Sequence, residues 1–139
     1  SGTSAGEYDG FLVRIDGSGD ATDNFNFGGP RTDRIRGLTV ATGGDSAEIY
    51  VLGESNGDIT GSRPPIAGQV SFIARVVPGS GSLVGRWYGN PSTRESALVR
   101  RGDGGVVAVG HHGGGDFLSW TSSGGQDYYL LEHRPYPAQ

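Results

Sequence analysis

Apolar and polar residues alternate along several short stretches of the chain, the pattern of strands with one covered face. The stretch AEIYVLG places Ile49 and Val51 on one side and Glu48 and Tyr50 on the other. The stretches IRGLTVAT, VSFIARVV and SLVGRWY around it are rich in β-branched or aromatic residues and are separated by Gly-rich or polar segments. No long stretch carries apolar positions at helical spacing. The pattern predicts an all-β chain.

The chain repeats part of its own sequence at a constant offset of 61 residues. DGFLVRIDGSGDATDNFNFGGPRT at 9–32 aligns with VSFIARVVPGSGSLVGRWYGNPST at 70–93. Identical residues coincide at Phe11 and Phe72, Arg14 and Arg75, Gly28 and Gly89, Pro30 and Pro91, and Thr32 and Thr93. A second offset, of 57 residues, aligns Gly53 with Gly110, Gly68 with Gly125 and Phe72 with Tyr129. Internal repeats of this length are typical of solenoids and propellers.

Each repeat is predicted to form a four-stranded antiparallel unit. The complete unit spans 34–88, a partial unit at about 9–32 precedes it, and a three-stranded partial unit at about 95–133 follows it. Four short strands in an up-and-down order cannot bury both of their faces, whereas stacked units cover one another. We therefore predict one all-β domain over 1–139, built from tandem β-propeller-type blades that form an incomplete ring. A small β-sandwich is the alternative.

The predicted strands do not add up to a closed propeller. Nine strands make about two and a quarter blades, and closed propellers use 4 to 8 blades. Three arrangements remain open at this point: a piece of a longer propeller, a ring assembled from several copies of the chain, or a compact sandwich.

Three segments resemble the bacterial β-propeller repeat family known as SBBP, over about two repeats. They are YDGFLVRIDGSGDATDNFNFGG, IRGLTVATGGDSAEIYVLGES and ESALVRRGDGGVVAVGHHG. Arg14 and Arg75 stand near positions where the family often has Lys, and the stretch LLE at 130–132 departs further from the pattern. The resemblance implies a propeller-type fold in a bacterial secreted or cell-surface protein. Its motifs specify strands and hairpins and imply no particular chemistry.

Composition removes several classes of protein. The chain has 139 residues and no cysteine, which excludes disulfides and thiolate metal sites. The net charge of −4 gives no electrostatic reason to bind nucleic acid. No apolar run approaches the ~20 residues that a membrane-spanning helix needs. We expect neither a nucleic-acid partner nor a membrane span.

The most promising place for a binding site is one end of the predicted sheets. Successive connections of an antiparallel run alternate between two ends, so the longer connections, at 28–34, 54–69, 88–95 and 111–126, share one end. Long loops on a rigid scaffold are where binding residues collect. The candidate ligand-binding residues there are Arg31, Arg34, Arg63, Tyr88, Asn90, Arg94, His111, His112, Asp116 and Trp120.

The sequence predicts no catalytic residue, no metal site and no cofactor. The stretch DGSGD at 16–20 has the oxygen donors that open a calcium loop, but Ala21 and Phe27 stand where such a loop needs Gly and a bidentate Glu. His111 and His112 are adjacent, so on an extended chain their imidazoles point in opposite directions. The pattern G-x-S-x-G occurs at 2–6 and 53–57, but no helix is predicted after either stretch, as a nucleophile elbow requires.

Three functions are open from the sequence. The first, which we expect, is a non-catalytic propeller-type module that binds a partner or builds a scaffold, as a homo-oligomer or as part of a larger chain. The second is a carbohydrate-binding protein in which an exposed aromatic ring, such as that of Trp120, stacks on a sugar. The third is a fragment of a hydrolase, which requires a histidine and a carboxylate to converge at the long-loop end.

Overall fold

The chain is built from β-strands in a computed structural model, and the all-β prediction is confirmed. The structure describes residues 6–41, 48–59, 63, 67–77, 83–88, 92–102, 105–113, 116–117, 120–121 and 125–133. Within these residues the strands are β1 (Gly10–Ile15), β2 (Ala21–Phe27), β3 (Asp33–Ala41), β4 (Glu48–Ser55), β5 (Val70–Val76), β6 (Leu83–Tyr88), β7 (Thr93–Arg100), β8 (Val106–His112), β9 (Asp116–Phe117), β10 (Trp120–Thr121) and β11 (Asp127–His133). No helix able to cross a bilayer occurs among them.

The strands pair into three principal antiparallel sheets. Sheet A contains β1 and β2, sheet B contains β3 to β6 in chain order, and sheet C has the order β11-β8-β7. Sheet B corresponds to the four-stranded unit that the sequence predicts at 34–88. The connections at 42–47, between β3 and β4, and at 78–82, between β5 and β6, lie outside the described residues.

The sheets stack in the order A, B, C, with one apolar layer on each side of sheet B. The layer between sheets A and B contains Leu12, Phe25, Phe27, Val51, Phe72, Ala74 and Val76. The layer between sheets B and C contains Tyr50, Leu52, Ile73, Tyr88, Leu98, Val106 and Ala108. Because sheet B is covered on both sides, consecutive residues such as Val51 and Leu52 are both fully buried.

The β1–β2 and β5–β6 hairpins have the same strand register at the 61-residue offset. Phe11 pairs with Asn26 in sheet A, as Phe72 pairs with Trp87 in sheet B. Their burial nevertheless differs, because Phe72 is 0% exposed and Phe11 is 72% exposed. The predicted equivalence of the two phenylalanines is therefore correct for pairing and wrong for environment. Sheet A covers the Phe72 side of sheet B, whereas no described sheet covers the Phe11 side of sheet A.

The 57-residue offset likewise maps a feature of sheet B onto sheet C. Gly53 pairs with Phe72, and Gly110 pairs with Tyr129. A Cβ atom on Gly53 would lie 2.7 Å from Cζ of Phe72, and one on Gly110 would lie 2.6 Å from the Tyr129 hydroxyl. In both sheets the aromatic ring therefore lies over backbone that has no room for a side chain.

A β-bulge interrupts β3 and β7 at matching places. The register shifts between Ile35 and Gly37 in β3, and between Glu95 and Ala97 in β7. The shift in β3 skips Arg36, whose guanidinium reaches the same carboxylate as that of its neighbour Arg34. An extra residue of this kind re-aims a side chain while leaving the rest of the ladder intact.

The connection at 111–126 departs from its sequence prediction. It was expected to be a loop, and the structure places the short hairpin of β9 and β10 within it, so that Trp120 pairs with Phe117. Eleven strands are therefore present among the described residues rather than the predicted nine. Strands of two residues are too short to show alternation, and Gly- and Ser-rich segments surround these two.

The segment at 16–20 is the turn that joins β1 and β2 into a hairpin. The Asp16 carboxylate accepts hydrogen bonds from the backbone N–H groups of Ser18, at 2.8 Å, and Asp20, at 3.0 Å. Gly19 adopts a φ of +91°, which favours glycine. The carboxylate therefore stabilises the turn by local hydrogen bonds.

Candidate functional site

The residues predicted for the site fall mostly at one end of the stacked sheets, but only some of them meet. Arg34 and Arg94 converge on Glu54, and Tyr88 lies beside the buried Glu95. Arg31 is exposed in the connection before β3. Asp116 and Trp120 lie in β9 and β10, and Asn90 lies outside the described residues.

Arg63 lies apart from this meeting point, whereas His111 pairs with Arg94 across sheet C. The Arg63 guanidinium donates a hydrogen bond to the Gly68 carbonyl, at 2.7 Å, and lies 5.8 Å from the ring centre of Trp87. His111 is half-buried and His112 is 3% exposed, as expected if neighbours on a strand point to opposite sides. Among the described residues no group of three or more His, Asp or Glu side chains could hold a metal ion.

Three arginines surround the carboxylate of Glu54, and we call these four residues the arginine cluster. Arg36 Nη2 lies 2.5 Å and Arg34 Nη1 lies 3.4 Å from Glu54 Oε1. Arg94 Nε lies 3.9 Å from Glu54 Oε2. The Glu54 side chain is 1% exposed, whereas those of the three arginines are 40–44% exposed. A single buried anion thus holds three cations at the protein surface.

The arginine cluster forms where β3 and β7 begin and β4 ends. Arg34 is the second residue of β3 and pairs with Glu54 near the end of β4. Arg94 is the second residue of β7 and pairs with His111 on β8. Arg34 and Arg94 thus hold corresponding places in sheets B and C, and stacking of the sheets brings both to Glu54.

A second set of polar side chains is buried beneath the arginine cluster, between sheets B and C. Its carboxyl group belongs to Glu95, which is 9% exposed. The Tyr129 hydroxyl donates a hydrogen bond to Glu95 Oε1 at 3.3 Å, and the hydroxyl groups of Ser71 and Tyr88 lie alongside. Burial raises the pKa of Glu95, and the negative charge of Glu54 raises it further.

Burial also affects the ionisation of the two tyrosines in this set. It raises the pKa of Tyr88 and of Tyr129, and the charge of Glu95 adds to both shifts. Neutral hydroxyl groups, rather than phenolates, therefore face Glu95 across the physiological range. This set of side chains can hold a proton on Glu95 next to the ion-paired Glu54. Both carboxyl groups lie in the interface between sheets B and C.

The outermost sheet faces carry exposed apolar side chains. On the outer face of sheet C, Val99 is 57%, Tyr128 is 80% and Leu130 is 69% exposed. A shallow open groove lies on this side, lined by Ser96, Val109, Gly110, Tyr128, Tyr129 and Leu130. The outer face of sheet A exposes Phe11, Val13 and Ile15. Exposed apolar groups gathered on one face are typical of an interaction surface.

Sequence reasoning found part of this arrangement. It selected Arg34, Arg94 and Tyr88, and it missed Arg36, Glu54, Glu95, Ser71 and Tyr129. The matching stretches RIRGL and RESAL contained a signal, since each opens on the arginine that is the second residue of a bulged strand.

The predicted carbohydrate-binding and hydrolase functions stay predictions. The hydrolase prediction needs imidazoles near the site, and His133 pairs with Val106, at the opposite end of β8 from His111 and His112. No protein-family model, curated protein or solved structure matches this chain.

Proposed function

We propose that the protein is a non-catalytic, β-propeller-type interaction module that assembles with further copies of itself through the outer faces of sheets A and C. The observation that carries this proposal is the exposure of Tyr128, at 80%, and Leu130, at 69%, on a regular sheet face. The sequence resemblance to SBBP repeats supports the propeller-type assignment and, with it, a bacterial secreted or cell-surface location.

The outer face of sheet C is chemically similar to a face that is already covered within the chain. Leu52 and Ile73 of sheet B are buried against sheet C. At the 57-residue offset their counterparts are Val109 and Leu130, which pair with each other on sheet C. Burying apolar area of this kind contributes roughly 25 cal/mol per Å², so a sheet placed against it would be stabilised.

The outer face of sheet A is similar to the face of sheet B that sheet A covers. Phe11, Val13 and Ile15 lie there, and their counterparts Phe72, Ala74 and Val76 on sheet B are at most 3% exposed beneath sheet A. The chain therefore presents both kinds of face that its own internal contacts join, one at each end of the stack. Contact between two unlike faces generates rings or open arrays of copies.

Static light scattering from micromolar to millimolar concentration tests the proposal. We expect a mass that rises above that of one chain with concentration, and the double variant Tyr128→Ser/Leu130→Ser should remain a single chain. Val84→Ser is the matched control, because Val84 is exposed to 41% on the edge strand of sheet B. A single-chain mass at every concentration, or an equal effect of the control, would contradict self-assembly.

A further inference from the structure

Sheet A contains counterparts of only two of the four strands of sheet B. At the 61-residue offset β1 and β2 correspond to β5 and β6, and the two hairpins have the same register. In sheet B the other side of β5 is paired along its length with β4. Among the described residues β1 has β2 as its only strand neighbour, since the bridge between Tyr8 and Thr32 precedes it. Within this part of the chain the far edge of β1 is therefore open.

Two apolar side chains of β3 are exposed on the side of sheet B that sheet A covers. Leu38 is 44% and Val40 is 41% exposed. Leu38 pairs with Val51, and Val40 pairs with Ile49. Both partners belong to the apolar layer between sheets A and B, and paired residues lie on the same side of a sheet. Sheet A thus reaches β4 and leaves β3 uncovered. We call the open edge of β1, together with Leu38 and Val40, the notch.

The contact between sheets B and C shows what covers the corresponding position. Leu98 has the same place in the stretch RESAL as Leu38 has in RIRGL, and it is only 7% exposed. It packs in one apolar layer with Leu52 of β4. It also lies against β3, since a Cβ atom on Gly37 would be 3.6 Å from the Cβ atom of Leu98. A counterpart of β4 beside β1 would cover Leu38 in the same way.

The strand that fills this position in sheets B and C has a glycine at a fixed place. Gly53 of β4 pairs with Phe72, and the ring lies on the glycine backbone. Gly110 of β8 and Tyr129 make the same contact. Phe11 is the corresponding aromatic residue of sheet A, and it is 72% exposed. Four apolar residues precede the glycine in both strands, IYVL in β4 and VVAV in β8. The chain thus contains two examples of the strand that would complete sheet A.

We propose that the notch binds an extended segment of a partner protein, which pairs with β1 as an antiparallel strand and has four apolar residues followed by a glycine. The glycine pairs with Phe11, and the residues one and three positions before it face Leu38 and Val40. Main-chain hydrogen bonds to β1 supply affinity, and the side-chain pattern supplies specificity. Folded copies of this chain cannot supply the segment from β4 or β8, since both are already paired on two sides. The inference is therefore independent of self-assembly through the outer faces.

The probe is a fluorescein-labelled peptide with the sequence of β4, EIYVLGES, titrated with the complete chain. We expect a saturable rise in fluorescence anisotropy, and the backbone amide NMR signals of β1 should shift while those of β6 stay in place. The same peptide with valine in place of its glycine should bind about tenfold more weakly, because the added side chain needs the space of the Phe11 ring. Absence of saturable binding, shifts confined to strands other than β1, or equal affinity of the two peptides would overturn the proposal.

Variants of the chain locate the bound peptide. Phe11→Ala should weaken the glycine peptide about tenfold and abolish its advantage over the valine peptide, since no ring then competes for the space. Leu38→Ser should weaken both peptides about fivefold. Val84→Ser is the matched control, because Val84 is similarly exposed on β6, and its effect should stay within about twofold. Tyr128→Ser/Leu130→Ser should bind the peptide as the wild type does, whether or not the chain self-assembles. A glycine preference that persists in Phe11→Ala, or equal losses in Leu38→Ser and Val84→Ser, would refute the site.

Discussion

The β1–β2 and β5–β6 hairpins show how one strand pattern gives two environments. Both have the same register, and the same residue type stands at Phe11 and Phe72. Only Phe72 is buried, because sheet A lies over it, while no described sheet lies over Phe11. The strand sequence therefore specifies pairing, and the neighbouring sheet supplies burial. Stability should consequently be concentrated in sheet B.

A charged residue of sheet B can be compared in the same way with its counterpart in sheet C. Arg34 pairs with the buried Glu54 in sheet B, whereas Arg94 pairs with the half-buried His111 in sheet C. The covered position holds a carboxylate with three cationic neighbours, and its counterpart on the outer sheet holds an imidazole. Burial thus decides how strongly a charge must be paired.

The largest expected difference is between the two phenylalanines. Phe72→Ala should lower the free energy of unfolding by about 3–5 kcal/mol, because it leaves a cavity between sheets A and B. Phe11→Ala should cost less than about 1 kcal/mol, since its side chain already contacts solvent. Urea unfolding at low micromolar concentration, where copies should be separate, measures both. Equal costs would mean that another surface covers Phe11 in solution.

The next largest difference in stability is expected between variants of the buried Glu54 and of the more exposed Glu132. Glu54→Gln should destabilise the protein by about 3 kcal/mol, because it leaves three arginines without their shared buried partner. Glu132→Gln should cost less than about 1 kcal/mol, since its ion pair with Arg101 is about 40% exposed. Thermal unfolding monitored by circular dichroism gives both values. The comparison fails if the two variants unfold at the same temperature.

The smallest effect is a dependence on pH. The pKa of Glu95 is raised above its ordinary value of 4.5 in the folded state, so the folded protein binds this proton more tightly than the unfolded chain does. Its contribution is fully favourable below the unfolded pKa and is lost as pH rises through the folded pKa. Glu95→Gln should therefore match the wild type at about pH 4 and exceed it in stability at about pH 8. Glu132→Gln serves as the control, and a pH-independent difference for Glu95→Gln would contradict the assignment.

Alternation indicates strands such as β8 and β11, where only one face is covered, whereas short runs of β-branched and aromatic residues indicate the strands of sheet B, which are covered on both faces. The internal offsets also predicted which hairpins share a register, as Phe11 and Phe72 show. The sequence could not predict the burial of Phe11, because burial depends on which sheets are present and not on the strand itself. The β9–β10 hairpin was missed because two-residue strands carry no pattern.

The candidate site was partly predictable for a related reason. Arg34 and Arg94 stood out as cations at the long-loop end, and the structure joins them. Glu54 begins a polar stretch, ESNGDITG, that reads as a solvent-exposed loop, whereas β4 continues to Ser55 and stacking buries Glu54. Arg36 was missed because a bulge shifts the side that each residue faces.

The rings of Phe72 and Tyr129 lie directly on the glycine backbones of Gly53 and Gly110. Neither partner can change alone: a side chain on the glycine needs the space of the ring, and a smaller ring leaves the peptide bare. A Cβ atom at either glycine would also lie 2.3 Å from a backbone carbonyl oxygen, that of Arg34 or that of Arg94, so each glycine and the ring above it should be retained together.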